Sequence, residues 1–439
     1  VSASGGAAVT VPAPTPRGIC GVVSTRGRGY NAPFFHKPSH MIHTRRLLSA
    51  LCLVTICGSQ AQSGTPFTDP LDGRFDMSEY LAENAFGFLP VPIIITEPAV
   101  DGGLGMMGLF FHENDETAEK RRQAMRTSEN PSRHLLPPNV SAVAGAYTGN
   151  ESWFVGGGHV GFFRQGTIRY RLGGGYGDVD LDYYSIGNNN LENPLSINTE
   201  SLFLIQSLKF KLGELPLYLG PIQRYVNAEL SPASDLGEVL PPGTPPETVD
   251  ALTDLLTSDV ALSALGVELE LDTRNNFFTP TAGYYLDFRY GAYRDAFGSD
   301  IDYDWYNLNS LNYFELTEHW RFALRLEAEV ADSDEPLPPF ATPSIDLRGI
   351  PAARYQGDYV GVLEGELTWQ PDLRWSALAF LGAGRATYDS SDFSSAPSEV
   401  ARGVGFRYQI ARRYGLHAGI DVAWGPEDTV WYIQVGSAW

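Results

Sequence analysis

Trp431-Tyr432-Ile433-Gln434-Val435-Gly436-Ser437-Ala438-Trp439 ends the chain, and its side chains alternate. Trp431, Ile433, Val435, Ser437 and Trp439 fall on one face; Tyr432, Gln434, Gly436 and Ala438 fall on the other. A period of two marks a strand with two unlike faces. An aromatic end with apolar residues toward lipid and small or polar ones toward a lumen fits the last strand of a transmembrane β-barrel. The last strand of a soluble sandwich alternates as well, so the rest of the chain has to decide.

The same alternation recurs upstream. Trp320, Phe322, Leu324, Leu326, Ala328 and Val330 share one face, opposite Arg321, Arg325, Glu327 and Glu329. Leu265, Val267, Leu269 and Leu271 oppose Gly266, Glu268, Glu270 and Asp272. Leu286, Phe288 and Tyr290 oppose Asp287 and Arg289. Block after block, charges of both signs occupy one face while the other stays aliphatic and aromatic. Acids and bases pairing inside a wet lumen, with lipid outside, account for that pattern. The 22 Tyr, 23 Phe and 8 Trp suit aromatic girdles at the two membrane interfaces. The fold class read here is therefore all-β, a transmembrane antiparallel β-barrel.

Sixteen candidate strands are expected, from a short one at 93–97 through 101–111 and 139–148 to 413–424 and 429–439; fourteen is the alternative if the first fails. An even number puts both barrel ends in the periplasm. The long segments 230–259 and 332–356 then lie outside the cell, the first with a helix expected over 247–256. The polar stretch 112–138 falls on the periplasmic side and reads as a mobile linker. The last strand is expected to close the sheet by hydrogen-bonding the first.

The chain is acidic, with 52 Asp+Glu against 31 Lys+Arg and a formal charge of -21. That balance repels phosphate backbones and disfavours nucleic acid as a partner. No acid occurs before Asp69. Arg45 and Arg46, the apolar run 47–56 and Ser59-Gln60-Ala61 form a secretory signal peptide over 41–61. Residues 1–40 read as a start-site artefact without fold. Residues 62–92 are a short periplasmic or plug segment with a helix expected over 76–86, and 93–439 are the barrel. Cys20, Cys52 and Cys57 all precede the expected mature chain, which leaves no disulfide, Cys-ligated metal or thiol nucleophile.

Four short motifs carry a family resemblance. Leu347-Arg348-Gly349-Ile350-Pro351 lies in the long segment 332–356. Asp272-Thr273-Arg274-Asn275-Asn276 continues to Pro280-Thr281-Ala282-Gly283. Gly403-Val404-Gly405-Phe406-Arg407-Tyr408 and Gly419-Ile420-Asp421 follow in order. In this arrangement the chain resembles the bacterial surface-antigen, BamA/TamA-like outer-membrane proteins. The resemblance implies that the Arg348-Gly349 loop folds into the barrel and that Arg348 pairs with inward carboxylates, Glu366 first and Glu364 second. The family's further acidic partner falls on Gly382 here, which implies a simpler lock. It also implies a turn motif at Arg274, Asn275, Pro280 and Gly283, and a C-terminal insertion signal at Trp431, Ile433, Val435 and Trp439. Expected partners are outer-membrane lipids, the barrel-insertion machinery and a periplasmic protein. Members that insert or export proteins carry periplasmic docking domains before the barrel, and the mature chain as read here leaves no room for one.

No zinc-protease, phosphate-loop, nucleophile-elbow or EF-hand motif occurs. His112, His134, His159, His319 and His417 are scattered without metal-ligand spacing, and no catalytic residue, metal or cofactor is expected. The lumen acids are expected to pair with Arg321, Arg325 and Arg348. The reading is a non-enzymatic barrel of the Gram-negative outer membrane with a structural, translocation or assembly role. A passive pore or small-solute transporter is the alternative, and an outer-membrane hydrolase a distant third.

Overall fold

A computed structural model describes residues 67–128, 139–186, 189–233, 240, 243–257, 259–276 and 278–439. The start-site and signal-peptide readings, and His134, lie outside them. Sixteen strands form one antiparallel sheet, each paired with its sequence neighbours. They are β1 (Phe88–Ile95), β2 (Gly103–Phe111), β3 (Asn139–Thr148), β4 (Trp153–Phe163), β5 (Ile168–Ile186), β6 (Asn189–Lys211), β7 (Leu217–Pro232) and β8 (Asp259–Asp272). Then come β9 (Gly283–Tyr293), β10 (Tyr303–Glu315), β11 (Trp320–Ser333), β12 (Tyr359–Trp369), β13 (Trp375–Thr387), β14 (Glu399–Ala411), β15 (Leu416–Trp424) and β16 (Thr429–Val435). No described helix is long and apolar enough to cross a membrane.

The alternation read from sequence separates two surfaces. Leu265, Val267, Leu326, Leu363 and Trp431 are exposed on the outside, while Glu268, Glu270, Arg325, Glu327, Glu329 and Glu364 are buried inside. Glu268, which has no exposure, sits among Lys209 at 3.0 Å, Arg289 at 3.6 Å and Arg171. Glu270 pairs with Lys209 and Arg169. This network fills the lumen beside β5, β6, β8 and β9, and every member comes from a strand. Arg321, expected among the lumen pairs, makes no ion pair among the described residues.

The longest excursions, over 233–258 and 334–358, leave the end opposite the two chain ends, which is therefore the extracellular end. Helix α3 (Pro246–Thr257) caps that end, burying Leu252 and Leu256 against Tyr183, Leu195, Ile197 and Leu230. Val249 packs beside them; the Leu255 side chain lies outside the description.

Three expectations need correcting. The first strand does not begin at 93: β1 starts at Phe88 and pairs with β2 from Phe88↔Phe110 to Ile95↔Gly103. Pro90 and Pro92 hide it from a search for strand formers, yet an edge strand tolerates both. The segment 112–138 contains helix α2 (Asp115–Thr127), not a mobile linker throughout. The Asn114 side chain caps it by accepting from Thr117 N at 2.8 Å, and Arg121 and Met125 are buried along one face. Residues 129–138 lie outside the description. Lastly, β16 ends at Val435, because Gly436 turns the chain with φ +94°. Trp439 is thereby buried in the lumen against Tyr285, Leu311 and Tyr313, off the lipid-facing row.

Candidate functional site: the inward loop and the strand seam

The connection between β11 and β12 dives into the barrel, burying Leu347, Arg348, Ile350 and Ala352. Gly349 permits the turn. Its φ is +98°, and Gly425, in the β15–β16 hairpin, lies so near that a Cβ there would come within 1.9 Å of Gly349 O. Arg348 Nε donates to Glu364 Oε1 at 2.7 Å, and Nη1 donates to Asp421 Oδ2 at 3.0 Å. Glu366 Oε2 is 2.9 Å from Nη1 but off the N–H direction, so it forms an ion pair without a hydrogen bond. The guanidinium lies 3.6 Å from the centre of the Phe380 ring. A buried guanidinium needs such paired carboxylates to offset its desolvation.

The order of partners therefore reverses the expectation: Glu364 is the hydrogen-bonded carboxylate and Glu366 the second. The lock is also not simpler for lacking an acid at Gly382. Asp421, on β15, supplies the extra carboxylate and is held in turn by Arg407, whose Nη2 donates at 2.8 Å. Gly382 has its own reason, since a Cβ there would fall 2.6 Å from Leu347 Cδ2 of the loop. Glu364 Oε2 accepts from the indole of Trp439 at 2.7 Å, which ties the chain end to the same cluster. Gly349 N donates to Tyr432 Oη on β16 at 2.6 Å, and Ala352 N donates to Glu97 Oε1 at 2.9 Å. Glu97 sits between β1 and β2. Burial pushes its carboxyl up to about 7, against hydrogen bonds from Ala352 N and Ala99 N.

The loop thus reaches strands on both sides of a discontinuity. Among the described residues the ladder runs from β1 to β16 without a β16–β1 pairing, so the expected closure by backbone hydrogen bonds is not made there. Backbone direction explains one side of it. The carbonyl of Gly87 accepts from Phe111 N at 2.8 Å, so it faces β2. Direction alternates along an antiparallel strand. Leu89, Val91, Ile93 and Ile95 therefore face β2, while Phe88, Pro90, Pro92 and Ile94 face the seam. Two of those four have no N–H. The other side is short: β16 spans seven residues before the chain turns inward.

At the periplasmic end a strap crosses this gap. Residues 67–77 lie on the turns before β13 and β15, and helix α1 (Ser78–Asn84) leads on into β1. Arg374, with no solvent exposure, donates to Asp69, Asp72 and Asp76, each at 2.6 Å. Met77 N donates to Ile410 O at 2.6 Å. Hydrogen bonding from Arg412 holds the Asp69 carboxyl down at about 2, against its burial. Leu81, Ala82 and Ala85 then pack with Met125 of α2 and with Ala411 and Tyr414. Arg121 of α2 donates to Ala85 O at 2.7 Å and pairs with Glu113. Residues 67–86 accordingly lie on the periplasmic rim.

The turn motif is an ordered bridge across the same end. Arg274 pairs with Asp272 at 2.8 and 2.9 Å, and Asn275 Oδ1 accepts from Thr281 N at 3.0 Å. Gly283 has φ +106°, and a Cβ on it would meet Thr273 O at 2.5 Å. Pro280 is buried. Asn276 donates to Tyr414 O at 3.1 Å, and Phe278 O accepts from Ser437 N at 2.7 Å. Trp431, Ile433 and Val435 stay on the outer face of β16, and Trp439 alone of that set does not.

Residues 157–342 match the model of the Omp85 superfamily domain. That span runs from β4 into the β11–β12 connection, less than half of the chain, and is what this barrel is similar to. Its fold is similar to that of BamA from Haemophilus ducreyi lacking POTRA domains 1-3, with 12% identity and a TM-score of 0.51, over 79% of this chain and 69% of that one. CdiB from Escherichia coli gives 13% identity and a TM-score of 0.51, over 80% of this chain and 62% of CdiB, less than two thirds of its length. Among curated proteins nothing matches. The BamA/TamA-like surface-antigen resemblance, the sixteen-stranded barrel and the Gram-negative outer-membrane location are thereby established. The family motifs pointed at Arg348 as the lock; Asp421 and Trp439 stood in quoted motifs but not as its partners, and Glu97 stood in none. Asp421 was within reach, since it lies on the inward parity of β15. Glu97 offered no signal, because its partner is a backbone N–H 255 residues away.

Proposed function

We propose that this Omp85 barrel has a non-catalytic role in moving polypeptide or lipid across or into the outer membrane. In this reading the β16–β1 seam is the part of the wall that separates. The loop around Arg348 keeps the lumen shut and, through Tyr432 and Glu97, holds the seam together. The observation that carries it is the missing ladder. Every other strand pair is joined by backbone hydrogen bonds, and this one relies on side chains, a loop and a strap. The family resemblance supports the translocation or assembly class. The loop inside the lumen speaks against a standing pore.

Photo-crosslinking in living cells tests the reading. Benzoylphenylalanine replaces Ile94 or Ile433 at the seam, with Val267 of β8, exposed on the far wall, as control. Polypeptide or lipid adducts confined to the seam positions are expected. Equal adducts at Val267, or none at the seam, would contradict it.

A further inference from the structure

The histidines described as scattered are partly gathered by the fold, on the outside of the barrel. Ser141 Oγ lies 2.8 Å from His112 Nε2 and 2.9 Å from His159 Nδ1. Their side chains share the outer face with Phe110 of β2, Val143 of β3 and Val155 and Phe163 of β4, all exposed to lipid. The polar groups continue across the sheet. Ser141 pairs with His159, His159 with Leu172, Leu172 with Gln206 and Gln206 with Gln223, one line of register over β3 to β7. Tyr170 Oη donates to Gln206 Oε1 at 3.4 Å, and Gln206 Nε2 donates to Gln223 Oε1 at 2.6 Å. His112 follows the end of β2, and His159 lies four residues before the end of β4, so this line starts at the periplasmic interface.

Polar side chains on a lipid-facing wall are costly unless satisfied, and these are satisfied only in part. In the His112–Ser141–His159 chain the serine hydroxyl donates to one imidazole and accepts from the other. With both rings neutral, one of the two outer ring nitrogens carries a proton and donates, and the other is a bare acceptor. Gln223 Nε2 adds amide donors without a partner among the described residues. No carboxylate side chain belongs to the line. The unmet groups are thus mainly donors, and the acceptor-only chemistry that meets them at this depth is phosphate and ester oxygen.

We propose that His112, Ser141, His159, Tyr170, Gln206 and Gln223 form a binding site for the phosphate–glycerol region of an inner-leaflet phospholipid. The phosphate sits against the two imidazoles, and the ester carbonyls lie toward Gln206 and Gln223. The site is on the wall next to the seam, and its existence does not depend on whether the seam opens.

The full chain in lipid nanodiscs, containing phosphatidylglycerol with a diazirine beside its headgroup, provides the test. Mapped adducts should concentrate on β2–β5, and H112Q/H159Q should lower them about tenfold, the loss of one charge-assisted hydrogen bond. S141A, which keeps both rings, should give a smaller loss and shows whether the hydroxyl organises them. Retained compactness of each variant in unheated gel electrophoresis separates a lost site from a lost fold. Labelling spread evenly around the barrel, or unchanged in H112Q/H159Q, would overturn the proposal. Competition by inorganic phosphate would reassign the site to free phosphate.

Discussion

The wall around Glu268 and the wall at the seam both bury charge, but they are held by different means. At β5 to β9 each strand is paired to both neighbours, and Arg171, Lys209, Glu268, Glu270 and Arg289 all project from those strands. At the seam the backbone ladder is missing, and the joining groups come from a loop, a chain end and a strap. The first arrangement can loosen only by unfolding strands. The second can part while every strand stays intact, because its bonds are side-chain contacts added across an edge.

The largest effect is expected at the strap. Arg374→Met leaves Asp69, Asp72 and Asp76 together without their shared cation, and breaking such a buried set costs about 3–5 kcal/mol. Thermal unfolding followed by heat-modifiable mobility should show the loss. The Asp69 carboxyl is held at about 2, below its ordinary 3.8. A depressed acid stabilises above its unfolded value, so the contribution of Asp69 is full at neutral pH and fades as pH falls from 3.8 toward 2.

Glu268→Gln sharpens the contrast. It leaves Arg171, Lys209 and Arg289 with fewer counter-charges, at a cost of about 3 kcal/mol. Stability should fall, while planar-bilayer recordings should stay as silent as wild type. Arg348→Ala should do the reverse: a smaller loss of stability, but conductance steps as the loop leaves the lumen. Steady wild-type pores would break the comparison.

The smallest effect concerns pH at the extracellular clasp. Burial raises the Glu97 carboxyl to about 7 from an ordinary 4.5. A raised group stabilises fully below its unfolded value and loses that contribution as pH rises through the folded one. The clasp between Glu97 and Ala352 should therefore weaken from pH 5 to 8, read as faster labelling of a cysteine placed at Ala352. Glu97→Gln should flatten that dependence.

The legible part of this molecule was what repeats. Period-two alternation gave the strands, their inward faces and, with turn residues, their number. The Arg-Gly motif gave Arg348, and inward parity on β12 gave Glu364 and Glu366. What escaped depends on three-dimensional closure. Pro90 and Pro92 disguise β1, since sequence cannot show that their missing N–H groups face an unpaired edge. Gly436 reads as one more small residue on a lumen face, yet its positive φ sends Trp439 inside. The Asp69, Asp72 and Asp76 cage gathers around an arginine some 300 positions away. His112 and His159 look isolated in sequence because strand pairing brings them together.

The most direct test of the seam is a distance measured across it. Spin labels at Ile94 and Thr429, on β1 and β16, are compared by pulsed electron resonance with labels at Trp320 and Trp369, which face each other in the β11–β12 ladder. The control pair should give one narrow distance, unchanged by Arg348→Ala. The seam pair should give a broader distribution that moves to longer distance in Arg348→Ala. A seam distance as narrow as the control, and unmoved by release of the loop, would contradict the account.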